Sequence, residues 1–77
     1  MTDTTRELMD LAARQFQVDP ATLKPEDDFF ATLKISSIQA LELLSELEMH
    51  FDVEIPDYEL QGVVTFAALS ALIEKRI

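Results

Sequence analysis

The stretch from Ser36 to Phe51 constrains this chain more than any other. Its apolar residues recur at helical spacing: with Leu44 at the centre of a buried arc, Ala40, Leu41, Leu47 and Phe51 fall within about 60° of it. Ser36 is the natural N-cap, and Gln39 completes a capping box with it, so the start of the helix is specified as well as its inner face. Glu48 also falls near the arc and is placed at its boundary. A helix with one apolar face must bury it against other elements, and 77 residues can supply those from a single domain only. A chain this short hides only about 60% of the surface its unfolded form exposes, so the core has to be economical.

The flanking segments provide that cover. A helix is predicted from about Asp3 to Phe16, where Thr4 and Glu7 have capping-box spacing and Leu8, Leu11, Ala12 and Phe16 share a face. Asp19-Pro20 ends that pattern, because a residue before proline is pushed out of the helical region. A long connection runs from Asp19 to Lys34 and must be packed down, with Val18, Leu23, Phe29 and Leu33 as its anchors. After the central helix, Val53 and Ile55 alternate with acids, but Pro56 closes the stretch too soon for a strand and leaves a pinned loop. Asp57 can cap a short helix to about Gln61, with Gly62 as its stop. Thr65 caps a last helix whose stripe is Ala68, Leu69, Leu72 and Ile73, and Lys75-Arg76 lie at its negative end. The expected architecture is all-α: a small four-helix bundle with three main helices and one short helix, residues 1–77 forming one domain. Phe51→Ala is expected to cost roughly 3–5 kcal/mol, as for a large buried aromatic.

Composition removes most chemistries. Cysteine is absent, which excludes disulfides, thiolate metal sites and cysteine nucleophiles. One glycine leaves no glycine-rich phosphate loop. A net charge of −9 makes nucleic acid and anionic lipid surfaces poor partners. The apolar runs are too short for membrane insertion, and Met1-Thr2-Asp3-Thr4-Thr5 has neither the basic start nor the apolar stretch of a signal peptide. A cytoplasmic location is therefore expected. His50, near a helix end, reads as a surface residue with no serine spaced to make it catalytic. Glu26-Asp27-Asp28 lacks the alternating ligand spacing of a calcium loop, so no metal site is expected. No catalytic residue is assigned, and the chain is not expected to be an enzyme.

The charges are segregated. No lysine or arginine lies between Ile35 and Glu74, a window that holds Glu42, Glu46, Glu48, Asp52, Glu54, Asp57, Glu59 and Glu74. This is either a solvated face that aids solubility or a docking surface for basic patches on other proteins. Ile38, Glu42, Ser45 and Met49 line up on the outer side of the central helix, flanked by Glu46. A transient partner could grip such a stripe by charge and by its apolar ends. Equally, Ile38 could fold back on the core and Met49 could meet the last helix.

Ser36-Ser37 opens the same helix. Capping accounts for Ser36 and leaves Ser37 either as an ordinary first-turn residue or as a site of covalent modification. A phosphate ester on Ser37 would face the free amides and positive end of the helix. With no cysteine present, any thiol chemistry would have to arrive on such a group.

The run Ser37-Ile38, Leu41-Glu42-Leu43-Leu44, Leu47-Glu48, Phe51 and Val53-Glu54-Ile55-Pro56-Asp57 resembles the acyl carrier protein family. There an Asp-Ser-Leu motif opens the second helix, and an Ile-Pro-Asp-like segment precedes a short third one. The lengths of the other segments also match, so the resemblance covers essentially the whole chain. It implies a carrier in which Ser37 holds a 4′-phosphopantetheine arm, installed from coenzyme A by a phosphopantetheinyl transferase, whose thiol carries acyl groups as thioesters. It also implies that Ile38, Gln39, Glu42, Ser45, Glu46, Glu48 and Met49 lie on or beside the face read by acyl-transferring and synthase enzymes with basic docking patches. Leu44, Leu47, Phe51, Val63, Phe66 and Leu69 would line a core able to open around an acyl chain. The chain departs from the family at Ser36, where the aspartate is usual, at Gln39, where an acid is usual, and within Leu33-Lys34-Ile35, where a glycine is usual. These changes remove negative charge beside Ser37 and point to a specialised fatty acid, lipid or polyketide pathway. A monomeric, discrete protein is expected; the alternatives are a peptidyl carrier domain, or an interaction module that keeps the fold but is never modified.

Overall fold

The computed structural model describes residues 2–77. Helix α1, Asp3–Phe16, begins earlier than Thr4–Glu7 spacing suggests: Thr2 is the N-cap, its hydroxyl accepting from the Thr5 amide at 3.1 Å. Tertiary partners decide this. The Thr2 hydroxyl also reaches Glu74 Oε1 at 3.0 Å, and the Thr5 hydroxyl meets that of Ser70 at 2.7 Å in a buried contact. The inner face is Thr5, Leu8, Met9, Ala12 and Ala13, while the expected Leu11 and Phe16 are half-buried.

The long connection is more ordered than its sequence suggests. Asp19 caps a 3-10 turn, Pro20–Thr22, through the Ala21 amide at 2.9 Å. A short helix, α2, follows at Phe29–Leu33, capped by Asp28 Oδ1, which accepts from Phe30 and Ala31 at 2.8 and 3.2 Å. Five residues are too few to show a period, so only the ends of α2, the buried Phe29 and Leu33, are visible as anchors. Leu23 is buried as expected and Val18 half-buried. The segment is tied to the start of the last helix by Phe29 N to Val64 O and Ala67 N to Pro25 O, both 2.8 Å.

Helix α3, Ser37–Phe51, has the expected capping box: Gln39 N donates to Ser36 Oγ at 3.3 Å and Ser36 N to Gln39 Oε1 at 3.0 Å. Its buried arc is Leu43, Leu44 and Leu47, rotated by roughly 50° from the expected one. Leu41 is 54% exposed and Phe51 is only half-buried. With leucines at 41, 43 and 44, the helix alone does not choose its face; packing against the other elements does.

Beyond α3, Ile55 is buried and Val53 half-buried, so the loop is pinned as its sequence suggests. A 3-10 turn, Asp57–Leu60, follows without a side-chain cap, so Asp57 does not fill that role. Gly62 takes the left-handed conformation, φ 79°, that suits glycine best. Helix α4, Phe66–Glu74, is capped by Thr65 through the Ala68 amide at 3.1 Å and buries Phe66, Leu69, Ser70 and Ile73. The four helices form a small bundle in which α1 packs against both α4 and α3. Phe66 is the aromatic at its centre, fully buried, with its ring centroid 5.9 Å from that of Phe29.

Candidate functional site

The junction between α2 and α3 carries the candidate site. Lys34 closes α2 in the left-handed conformation, φ 57°, in the segment where the resemblance places a glycine. Lys34 thus takes a left-handed conformation that glycine adopts more readily. Two residues later Ser36 starts α3, and its hydroxyl is committed to the Gln39 amide. Ser37, the first residue of α3, is exposed, and its hydroxyl has no hydrogen-bond partner among the described residues. The two adjacent serines therefore differ in availability: one is a cap, the other is free at the positive end of a helix. A phosphodiester on Ser37 Oγ would project into solvent beside the first amides of α3, so the residues present fit such a group.

The outer stripe of α3 is open. Ile38 and Met49 are 71% and 70% exposed, so neither folds back onto the core. Gln39, Glu42, Ser45 and Glu46 are exposed as well. Glu48 is set apart from them: it is half-buried, and its carboxylate accepts from the Ile55 amide at 2.8 Å, fastening the loop after α3. Other acids of the segregated window also have internal tasks. Glu74 accepts from the Thr2 and Ser70 hydroxyls, and Glu59 pairs with Lys75 and Arg76. The free acidic surface is consequently centred on Glu42 and Glu46 of α3, with Asp52, Glu54 and Asp57 exposed beyond it.

Three exposed apolar residues were not evident from the sequence. Leu41, Tyr58 and Val64 are exposed, Tyr58 at 74%. A cavity of about 70 Å³ is lined by apolar residues, among them Phe29, Leu41, Leu44, Leu60, Val63 and Leu69. Of the residues the resemblance assigned to such a space, Leu44, Val63 and Leu69 line it, whereas Leu47, Phe51 and Phe66 do not. The rotated face of α3 explains Leu41, and the loop position of Leu60 carries no periodic signal.

The remaining candidates have structural roles. His50 Nε2 lies 3.5 Å from the Glu7 carboxylate of α1, and its ring meets Phe51 edge-on. Asp28 caps α2, and Asp27 accepts from the Lys24 amide at 3.0 Å. Among the described residues no group of three acidic or imidazole side chains is placed to hold a metal ion, and no helix is long and apolar enough to cross a membrane.

A helical bundle that offers an exposed serine at a helix start beside an acidic, partly apolar face suits a carrier. Comparison with known proteins agrees. The family described as phosphopantetheine attachment site matches residues 6–73. An acyl carrier protein of Campylobacter curvus is 35% identical over 69 residues, 90% of each chain. An acyl carrier protein of Helicobacter hepaticus is 35% identical over 72 residues, 94% of this chain and 95% of that one. The chain belongs to the acyl carrier protein family, and its cofactor is covalent 4′-phosphopantetheine.

Proposed function

We propose that Ser37 Oγ is the attachment point of the arm, and that the chain presents acyl groups to partner enzymes in a specialised fatty acid, lipid or polyketide pathway. When bound, the arm supplies a thiol that holds an acyl group as a thioester. The observation that carries the assignment is the contrast between Ser36, whose hydroxyl is used within the capping box, and Ser37, exposed and unengaged. The positive end of α3 favours the phosphodiester charge at Ser37. Ile38, Gln39, Glu42, Ser45, Glu46 and Met49 form the face on which a transferase or synthase with a basic patch docks, charge steering the encounter and Ile38 and Met49 giving apolar contact. Glu48 contributes to that face through the loop it fastens. Ser36 and Gln39 stand where the family has acids, so a transferase that reads negative charge there loses two contacts; this supports a specialised transferase and pathway. The carrier acts as a monomer in the cytoplasm.

Intact mass after incubation with coenzyme A and a broad-specificity phosphopantetheinyl transferase tests the assignment. One arm is gained by the parent protein and by Ser36→Ala, and none by Ser37→Ala, which still folds. Loss of the arm in Ser36→Ala together with its retention in Ser37→Ala would move the site by one residue. No gain in any of the three, repeated with transferases of the source organism, would favour the unmodified interaction module.

A further inference from the structure

Within the segment between α3 and α4, the Asp57–Leu60 turn is the part held least by its own residues. The Asp57–Leu60 turn has no side-chain cap and fully buries none of its residues. Its local backbone bonds are short-range, Glu59 N to Pro56 O and Val63 N to Leu60 O, each 3.1 Å. Yet Leu60 and Val63 from this segment form part of the wall of the apolar cavity that Leu41 and Leu44 of α3 line with them.

What grips the segment from outside is a pair of basic residues just past α4. Arg76 uses every nitrogen of its guanidinium: Nε donates to Glu54 O at 2.9 Å, Nη1 to Leu72 O at 3.1 Å, and Nη2 pairs with the Glu59 carboxylate. Lys75 Nζ donates to the other Glu59 oxygen at 3.1 Å. The Arg76 and Glu59 side chains are only 22% and 16% exposed, so the pair is partly shielded from water and salt. Helix-end electrostatics would account for the contact to Leu72 O alone. The reach to Glu54 O and Glu59 instead joins α4 to both ends of the stretch that precedes and forms the turn.

We propose that Arg76, backed by Lys75, is a positioning residue for the cavity: its grip on Glu59 and Glu54 holds the Asp57–Leu60 turn as a closed wall, and release of this clasp opens the cavity to an apolar chain. The carrier reading enters only in identifying that chain as acyl cargo. A lysine replaces Arg76 only in part, because a single ammonium nitrogen cannot serve two carbonyls and a carboxylate as the planar fork does.

Amide hydrogen exchange and binding of a six-carbon alcohol, both followed by NMR on the apo protein, test the clasp. In Arg76→Ala the Glu59 and Val63 amides exchange about tenfold faster, the factor expected for loss of roughly one charge-assisted hydrogen bond, while the amides of Leu8 to Ala13 in α1 change far less. The alcohol binds more tightly than to the parent protein, with shifts at Leu44, Leu60 and Val63, because the open form is more populated. Arg76→Lys gives intermediate values. Glu59→Gln provides a second route should Arg76→Ala not fold, and gives the same local acceleration and tighter alcohol binding. Equal acceleration throughout the protein, or unchanged alcohol affinity, would overturn the proposal. Ser37→Ala behaves as the parent in both measurements, so the clasp and the attachment site fail or stand separately.

Discussion

Truncating Phe66 measures whether the bundle is centred where the packing places it. Its side chain has no exposed surface and stacks, tilted, against Phe29 with centroids 5.9 Å apart. Removal of a fully buried phenylalanine costs about 3–5 kcal/mol, the transfer free energy plus the cavity left behind. The lost aromatic pair accounts for roughly 0.5–1.5 kcal/mol, which favours the upper half of that range. A chain of 77 residues is stable by only about 4–12 kcal/mol. Phe66→Ala should therefore lie close to the unfolding threshold, with Tm lowered on the order of 20 °C. Phe51, which the spacing in α3 puts on the buried arc, is half-buried and leans on His50 at 4.8 Å. Its truncation should cost only about 1–2 kcal/mol, in proportion to the smaller area withdrawn from water. Urea unfolding followed by far-UV circular dichroism reports both, and equal slopes confirm that the denatured states match. A Phe51→Ala cost equal to or above that of Phe66→Ala would refute this placement of the core.

Three further changes probe the local devices. Gln17→Gly removes the left-handed strain of a residue at φ 56° and should raise stability by roughly 0.5–1 kcal/mol in the same unfolding assay, net of glycine's entropy. Glu48→Ala leaves the Ile55 amide unpaired and should cost about 1–3 kcal/mol, with exchange at that amide accelerated; an unaffected Ile55 amide would show that water replaces the carboxylate freely. Ser70→Ala removes the Thr5–Ser70 bond while the Thr5 hydroxyl keeps that of Thr2 at 2.9 Å, so it should cost about 0.5–1.5 kcal/mol; the double variant with Thr5→Val should cost less than the sum of the two single changes, because both remove the same bond.

Several features of this chain are written in short spans of residues and are therefore legible without a structure. The capping box of Ser36 and Gln39, the end of α1 before Asp19-Pro20, the Thr65 cap and the buried anchors Leu23, Phe29, Leu33 and Ile55 each depend on a few neighbours along the chain. The run from Ser37 to Asp57 likewise points to the acyl carrier protein family on its own. The tertiary structure alone decided which way α3 faces. Leu41 and Leu43 are the same residue type two positions apart, yet one is exposed and the other buried, because the surface α3 packs against selects the face. The cap of α1 moved to Thr2 because hydroxyl partners on α4 lie there, distant in sequence. The same holds for the acids. Glu42, Glu48 and Glu59 are alike as charges in a row, but only the fold brings an amide to Glu48 and Arg76 to Glu59, leaving Glu42 and Glu46 free at the surface. Periodicity records that a residue can be buried or paired; the partner across the bundle determines whether it is.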